Sequence, residues 1–273
     1  MSASPRSADF SPALNPPRRL LSLDALRGFD MFIIAGGEWI VEVLYKLAEK
    51  TQEGPFKQTL TLLHTQLSHV AWEGFRFYDL IFPLFVFMTG VSLVYSLSRI
   101  QTEGGRGAAM RRLIVRGLLM YIIGLWYYGG VADGWKEIRL MGVLQRIAIA
   151  YTFGGLLFLT FRPRTLFVIL VAILVGYWAM LTYIPVPEFG AGNYAEGQNL
   201  ANYVDTVALP LRKWEHKPYD PEGLLSNLTA VASCLLGVFA GLLMRNQQRS
   251  EIQKVLILFV AGVAMIAGGY YWG

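Results

Sequence analysis

The sequence predicts an all-α protein, a polytopic bundle of about seven membrane-spanning helices. Three observations carry that prediction. Hydrophobic residues make up 54% of the 273-residue chain and charged residues only 16%, whereas soluble domains are about one quarter charged. The mean hydropathy is positive, at +0.42. The apolar residues also gather into runs of about twenty, the helix length that crosses about 30 Å of hydrocarbon. Inside lipid a backbone must satisfy its own polar groups, which a helix does and irregular chain does not.

The first element is a tail. Residues 1–17, rich in Ser, Pro and Ala, have neither the basic start nor the apolar stretch of a signal peptide and predict a disordered cytoplasmic segment. Spans are predicted over Leu23–Leu44, Phe75–Leu97, Leu113–Tyr128, Leu140–Phe161, Leu166–Ile184, Leu224–Met244 and Val255–Tyr271. The first is the least apolar, because it holds Asp24, Arg27, Asp30 and Glu38. The third is short, and Trp126-Tyr127-Tyr128 marks its interfacial end. Arg99–Arg111, with Gly104-Gly105-Arg106-Gly107, reads as a flexible cytoplasmic linker. Pro185–Gly223 is too short to hold a core alone, and a loop of that length commonly serves as a lid or binding surface.

Basic residues set the predicted orientation. Arg18, Arg19, Arg27, Arg99, Arg106, Arg111, Arg112, Arg116, Arg162, Arg164, Arg245, Arg249 and Lys254 fall at one set of span ends. Those thirteen basic residues stand against about nine in the alternate loops, which places the N-terminus in the cytoplasm by the positive-inside rule. His69, Gly129–Ile138 and Pro185–Gly223 then face outward. The net charge of +5 reflects this bias, with no basic and aromatic module for nucleic acid. The single cysteine, Cys234, lies in an apolar run and reads as a small buried hydrophobe.

Four clusters could carry chemistry. Asp24 and Arg27, three apart, share a helix face and can pair, as a structural ion pair or as part of a site. His69-Val70-Ala71-Trp72-Glu73-Gly74 leads to Asp79-Leu80-Ile81-Phe82-Pro83, which puts a proton-transfer group ten residues before an acid at the head of a span. An ionised Asp costs roughly 2.5–3.5 kcal/mol at mid-membrane and less near the interface. Gly74 lets the chain turn into that helix. Gln145 and Arg146 lie inside the fourth span, where Arg146 needs an acid; Asp79 is the first candidate, and a helix-bundle staple is the alternative. Asp220-Pro221-Glu222-Gly223 reads by itself as a helix cap. His64 and His216 read as ordinary solvated histidines, and no metal-ligand spacing is present.

These strings in this order resemble the heparan-α-glucosaminide N-acetyltransferase family and its bacterial relatives, a branch of the transmembrane acyltransferases. The resemblance rests on Arg19-x-x-Ser22-Leu23-Asp24-x-x-Arg27-Gly28, His69-x-x-Trp72-x-Gly74 with Asp79-Leu80-Ile81-Phe82-Pro83, Arg139-x-x-Gly142-Val143-Leu144-Gln145-Arg146, and Asp220-Pro221-Glu222-Gly223. It covers roughly residues 18–245. The resemblance implies an acyltransferase that moves acetyl from cytoplasmic acetyl-CoA, its donor substrate, to an extracytoplasmic sugar or amino sugar, with no metal. It implies a catalytic His69 supported by Asp79 and Arg146, with Asp24, Arg27, Trp72, Gly74, Gln145, Asp220 and Glu222 in its motifs. Arg111, Arg112 and Arg116 are candidates for the CoA phosphates.

The implied setting is a bacterial cytoplasmic membrane, with the bilayer, a small-molecule or glycan acceptor and a second copy in a homodimer as partners. Members resembled here have an Asn in the first span, where this chain has Ala35-Gly36-Gly37 followed by Glu38; the acceptor is therefore expected to differ from heparan. They also continue for roughly another hundred residues. The domain 18–273 is thus expected to be incomplete at its C-terminus, and the chain alone to have reduced activity or none. Rival readings are a transporter using an Asp79–Arg146 relay and a silent fragment serving as an assembly subunit.

Overall fold

The computed structural model describes residues 20–49, 54–132 and 134–272. The tail predicted over 1–17, with Arg18 and Arg19, lies outside them. Helix α1 (Leu21–Phe32) is joined to α2 (Glu38–Ala48) through Ile33–Gly37, where the backbone leaves the helical conformation at Gly36 (φ 161°, ψ 0°), and α3 (Pro55–Gln66) comes next. A 3₁₀ turn, Phe77–Leu80, leads into α4 (Ile81–Tyr127). Then come α5 (Val143–Thr160), α6 (Pro163–Tyr183), α7 (Leu200–Ala208), α8 (Asn227–Arg245) and α9 (Glu251–Trp272).

The molecule is an integral membrane protein built as a helical bundle. Among the described residues five helical segments are long and apolar enough to cross a membrane: Phe77–Tyr127, α5, α6, α8 and α9. The difference from seven predicted spans has two causes. The charged residues of α1 and α2 leave that rod outside the five. The second and third predicted spans fall within one of the five segments, because the linker expected to be flexible is helical except at Gly105, where φ is 76° and ψ 176°.

That one residue reverses the chain. Phe82 lies under the Arg146 guanidinium, 5.6 Å from it, and a Cβ on Gly124 would stand 2.7 Å from Oε1 of neighbouring Gln145. In a straight helix, residues 82 and 124 would lie about 63 Å apart. Both abut the start of α5, so α4 is a hairpin of two passes. Gly105 supplies the left-handed backbone that such a sharp reversal needs.

The core lies among the two arms of α4, α5 and α8. Leu93, Leu97, Ala109, Leu113, Ala150 and Cys234 are buried together there, so Cys234 is the small buried hydrophobe its context predicts. Small residues let the backbones close up, as is common where lipid gives no hydrophobic drive between helices. A Cβ on Gly90 would fall 1.9 Å from the carbonyl oxygen of Cys234, and one on Gly237 1.9 Å from that of Phe87. By contrast α6 and α9 present Phe167, Val168, Ile252, Val255 and Phe259 outward, apolar surface suited to lipid.

Gly237→Ala should therefore lower stability by about 1–3 kcal/mol or more, the cost of forcing atoms into a packed core. Gly262→Ala, with nothing within 4 Å of the added carbon, should leave it unchanged or slightly raised. Thermal unfolding of both variants in detergent checks the contrast.

Candidate active site

Helix α3 ends at Gln66, and its side chain accepts a hydrogen bond from the Phe77 backbone N–H at 3.1 Å, closing the intervening loop. Arg76 holds the loop from inside, donating to Ser68 Oγ at 2.7 Å and to the His69 carbonyl at 2.8 Å. Gly74 has φ +119°, a left-handed backbone that favours glycine. The turn predicted at this residue is present.

Within that frame His69 Nδ1 lies 2.8 Å from Asp79 Oδ1. The other carboxylate oxygen, Oδ2, accepts the Arg76 backbone N–H at 3.0 Å. Asp79 therefore sits in the 3₁₀ turn before α4, fixed on both sides. An ionised carboxylate only accepts, so the shared proton belongs on Nδ1 and the lone pair is on Nε2. The imidazole is 69% exposed and the Asp79 side chain 25%; the free nitrogen looks out and the acid that orients it is tucked behind. Tyr78 packs its ring edge-on against the imidazole, centroids 4.7 Å apart.

The expected Asp79–Arg146 pair does not form. Arg146 donates to Ser226 Oγ at 2.8 Å, to the Pro221 carbonyl at 3.1 Å and to the Ser226 carbonyl at 3.2 Å. Its guanidinium covers Phe82, one turn below Asp79. Arg146 thus supports the helix that carries the acid through a ring face and reads as the staple. The charge persists despite its burial because carbonyl and hydroxyl oxygens replace water around it.

The acids near the start of α8 pair with Arg139 instead. Its Nε and Nη2 reach Asp220 at 2.8 and 2.7 Å, and Nη2 also reaches Glu222 at 2.6 Å. Tyr128 and Trp214 sandwich the guanidinium, each ring centroid 4.8 Å away. The helix-cap reading of Asp220–Gly223 is overturned, because α8 begins only at Asn227. Gln145 is fully buried, and its Nε2 donates to the Arg139 carbonyl at 3.4 Å, steadying that residue's backbone.

Pro185–Gly223 is ordered around this cluster. Asp205 of α7 accepts the Leu224 and Asp220 backbone N–H groups at 2.8 and 3.3 Å. Burial pushes the Asp205 carboxyl above its ordinary range. The Glu222 carboxyl is also pushed up, first by burial and then by its hydrogen bond with Asp220. At the rim, the Tyr219 hydroxyl donates to Glu196. With Lys217 at 3.1 Å, that bond holds the Glu196 carboxyl below the usual range.

Trp72 joins the two halves of this outer layer. Its Nε1 donates to the Tyr194 carbonyl at 3.0 Å, and its ring meets Tyr219 edge-on at 6.2 Å. His69, Asp79 and Trp72 are therefore brought together, with Arg146, Gln145, Asp220 and Glu222 in an adjoining cluster.

Asp24 and Arg27 are not brought there. They pair with each other at 3.7 Å, as their spacing predicts, and Arg27 also donates to Ser92 of α4. Arg111, Arg112 and Arg116 are exposed on the returning arm of α4, and Arg116 covers the Tyr151 ring at 5.6 Å. His64, expected to be solvated, sits 2.5 Å from Glu42 and stacks on Tyr45. Among the described residues, no group of three His, Cys, Asp or Glu is placed to hold a metal ion.

Sequence reasoning does not find Arg139 and Asp205 as residues that shape the site. Arg139 stands inside one of the motifs, but its acids lie 81 and 83 positions away. Asp205 carries no signal, since an acid on a short amphipathic helix looks like surface.

No protein-family model matches the chain. It is similar to heparan-alpha-glucosaminide N-acetyltransferase of Homo sapiens, at 26% identity over 247 residues covering 71% of this chain and 36% of that protein. It is likewise similar to the protein of the same name from Mus musculus, at 25% identity over 312 residues covering 95% of this chain and 44% of that protein. The chain thus spans less than half the length of the curated relatives it matches. The similarity to both is distant.

Arg139→Ala would leave two acids without their cation, Asp220 with a side chain 1% exposed. Breaking such a buried pair costs about 3–5 kcal/mol, and limited proteolysis within 185–223 should accelerate alongside a lower unfolding temperature. Arg139→Lys should recover only part of the loss, since an ammonium cannot make the forked contact.

Proposed function

We propose that this distant relative of the heparan-alpha-glucosaminide N-acetyltransferases is itself a membrane acyltransferase. In this reading it moves acetyl from acetyl-CoA on the cytoplasmic face to a sugar or amino sugar on the other face. The observation that carries the reading is the 2.8 Å contact between His69 Nδ1 and Asp79, which leaves Nε2 free at an exposed position. That arrangement, an imidazole oriented by a carboxylate, is the working part of many acyl-transfer sites.

Two routes use the same nitrogen. In the first, Nε2 attacks the thioester carbonyl; the N–C bond forms, the C–S bond breaks, and the departing thiolate takes up a proton. The acceptor amine then attacks the acetyl-imidazole, losing a proton and regenerating Nε2. In the second, Nε2 removes the amine proton while the amine attacks the thioester directly, and the proton passes to the thiolate. In either, Asp79 stabilises positive charge that builds on the ring, and Trp72 fixes the loop against the outer layer.

Basic residues supply the sidedness. Arg111, Arg112 and Arg116 offer exposed positive charge for CoA phosphates. Arg111 precedes the outer end of its arm, Tyr127, by about 24 Å of helix. His69 lies at that outer end, so donor phosphates and acceptor meet the protein at opposite faces. The arginine bias supports an orientation with the N-terminus in the cytoplasm, and the resemblance to bacterial relatives supports a bundle in a bacterial inner membrane. A transporter built on an Asp79–Arg146 relay has no such geometry behind it, because Asp79 is taken up by His69 and Arg146 by Ser226 and Pro221.

With radiolabelled acetyl-CoA and glucosamine supplied to membranes carrying the protein, label should appear on the sugar. His69→Ala should lower that transfer to background. Asp79→Asn, which keeps the shape but not the charge, should lower turnover by about 10²–10⁴-fold. Full turnover by His69→Ala would overturn the proposal.

A further inference from the structure

Helix α1 lies along the first arm of α4. Arg27 donates to Ser92, near the middle of that arm, and Phe29 packs edge-on against Phe77 at 6.3 Å. The rod therefore runs beside the stretch between the middle of the arm and the turn that holds Asp79. Its apolar side chains Phe29, Met31 and Phe32 are exposed, as suits a surface facing lipid. The one residue of α1 that is fully buried is an acid, Asp30, with 0% of its surface exposed.

That carboxyl meets no counter-charge. Neither of its oxygens has a hydrogen-bond partner among the described residues. Arg27, one turn away, is turned to Asp24 and Ser92 instead. The facing stretch of α4 from Leu80 to Val94 holds no Asp, Glu, Lys, Arg or His, and neither does the Ile33–Gly37 connection. The ionisable groups at the ends of these elements are Asp79, which is paired with His69, the acid Glu38, and the phenols of Tyr78 and Tyr95. None of them supplies a positive charge.

An isolated carboxylate cut off from water neutralises in preference to staying charged. A proton removes the charge and gives the side chain an O–H to donate, so helix carbonyls, useless to a carboxylate, become partners. A hard metal cation instead draws on about six oxygens or more. Among the described residues no three acids, histidines or cysteines gather to hold one.

We infer that Asp30 is a proton-binding site inside the membrane, filled while α1 lies on α4 and emptied when water reaches the seam between them. The site goes beyond acyl transfer, and its test reads no turnover. Phe29, the residue before it, touches Phe77 in the turn that carries Asp79. The proton thus holds the rod against the element on which the acid of the His69 pair stands.

Carbodiimide chemistry reads the proton directly. A protonated carboxyl gives its proton to a carbodiimide nitrogen while its oxygen bonds to the central carbon, and the adduct rearranges to a stable N-acylurea with no atom lost. The full chain in phosphatidylcholine vesicles would be treated with apolar dicyclohexylcarbodiimide or with a charged, water-soluble carbodiimide, then digested for mass spectrometry. An ordinary aspartic acid is protonated in only about one part in 10³ at pH 7. The apolar reagent should therefore modify Asp30 at least about tenfold more than the half-exposed, paired Asp24. The water-soluble reagent should not reach it. Labelling should fall as pH rises, and exchanging choline chloride for sodium chloride at constant pH should change nothing.

Unfolding gives a second reading. An acid that is neutral in the folded protein and ionised in the unfolded one loses stability as pH rises. The unfolding temperature of Asp30→Asn should therefore gain on that of wild type between about pH 5 and about pH 8. The labelling uses wild type alone and decides even where Asp30→Asn does not fold. Asp30 labelled only in the ordinary carboxyl range near pH 4, modified by the water-soluble reagent, or protected by sodium overturns the inference. So does an Asp30→Asn margin that stays flat with pH.

Discussion

The outer end of this protein hangs on one buried cation. Arg139 precedes α5, and the acids it grips belong to the segment that leads into α8. An arginine with 2% of its side chain exposed is tolerable only because two carboxylates and two aromatic faces replace its water. Once that cluster is made, Asp220 can also receive the Trp214 backbone and sit under Asp205. The long loop is thereby folded down, which sets Tyr194 and Tyr219 where Trp72 can reach them. His69 itself touches none of this directly. Its loop is held at one end by Arg76 and Gln66 and at the other by Trp72.

Architecture is legible in the sequence where it depends on quantity. Long apolar runs announce helices in lipid, since no other use of such a stretch satisfies the backbone. The local pairing of Asp24 with Arg27 is equally readable, because helix geometry fixes neighbours three apart. The Gly104–Gly107 stretch reads as a flexible linker, whereas helix continues on both sides of Gly105. Glycines announce a break but do not say whether the break is one residue or ten.

Long-range choice is not legible. Arg146 needs oxygen partners, and the sequence offers many acids; only packing shows that hydroxyl and carbonyl groups of the α8 entry serve it while Arg139 takes the acids. Asp-Pro-Glu before an apolar run has the same composition whether it caps a helix or closes a buried ion cluster. The His69–Asp79 contact is suggested by proximity along the chain, but its geometry depends on the left-handed backbone at Gly74 and on Arg76 reaching back to the His69 carbonyl. Residue letters do not encode either condition directly.

The glycine contacts at the centre have a consequence for passage. Where α8 crosses the first arm of α4, no methyl group fits at Gly90 or Gly237, and α5 meets the second arm closely at Gly155, where an added carbon would press on the Leu113 side chain. Nothing as thick as an acyl chain can travel between surfaces that exclude a single carbon. Those crossings are bulkheads, and a route from one face of the membrane to the other must pass them by.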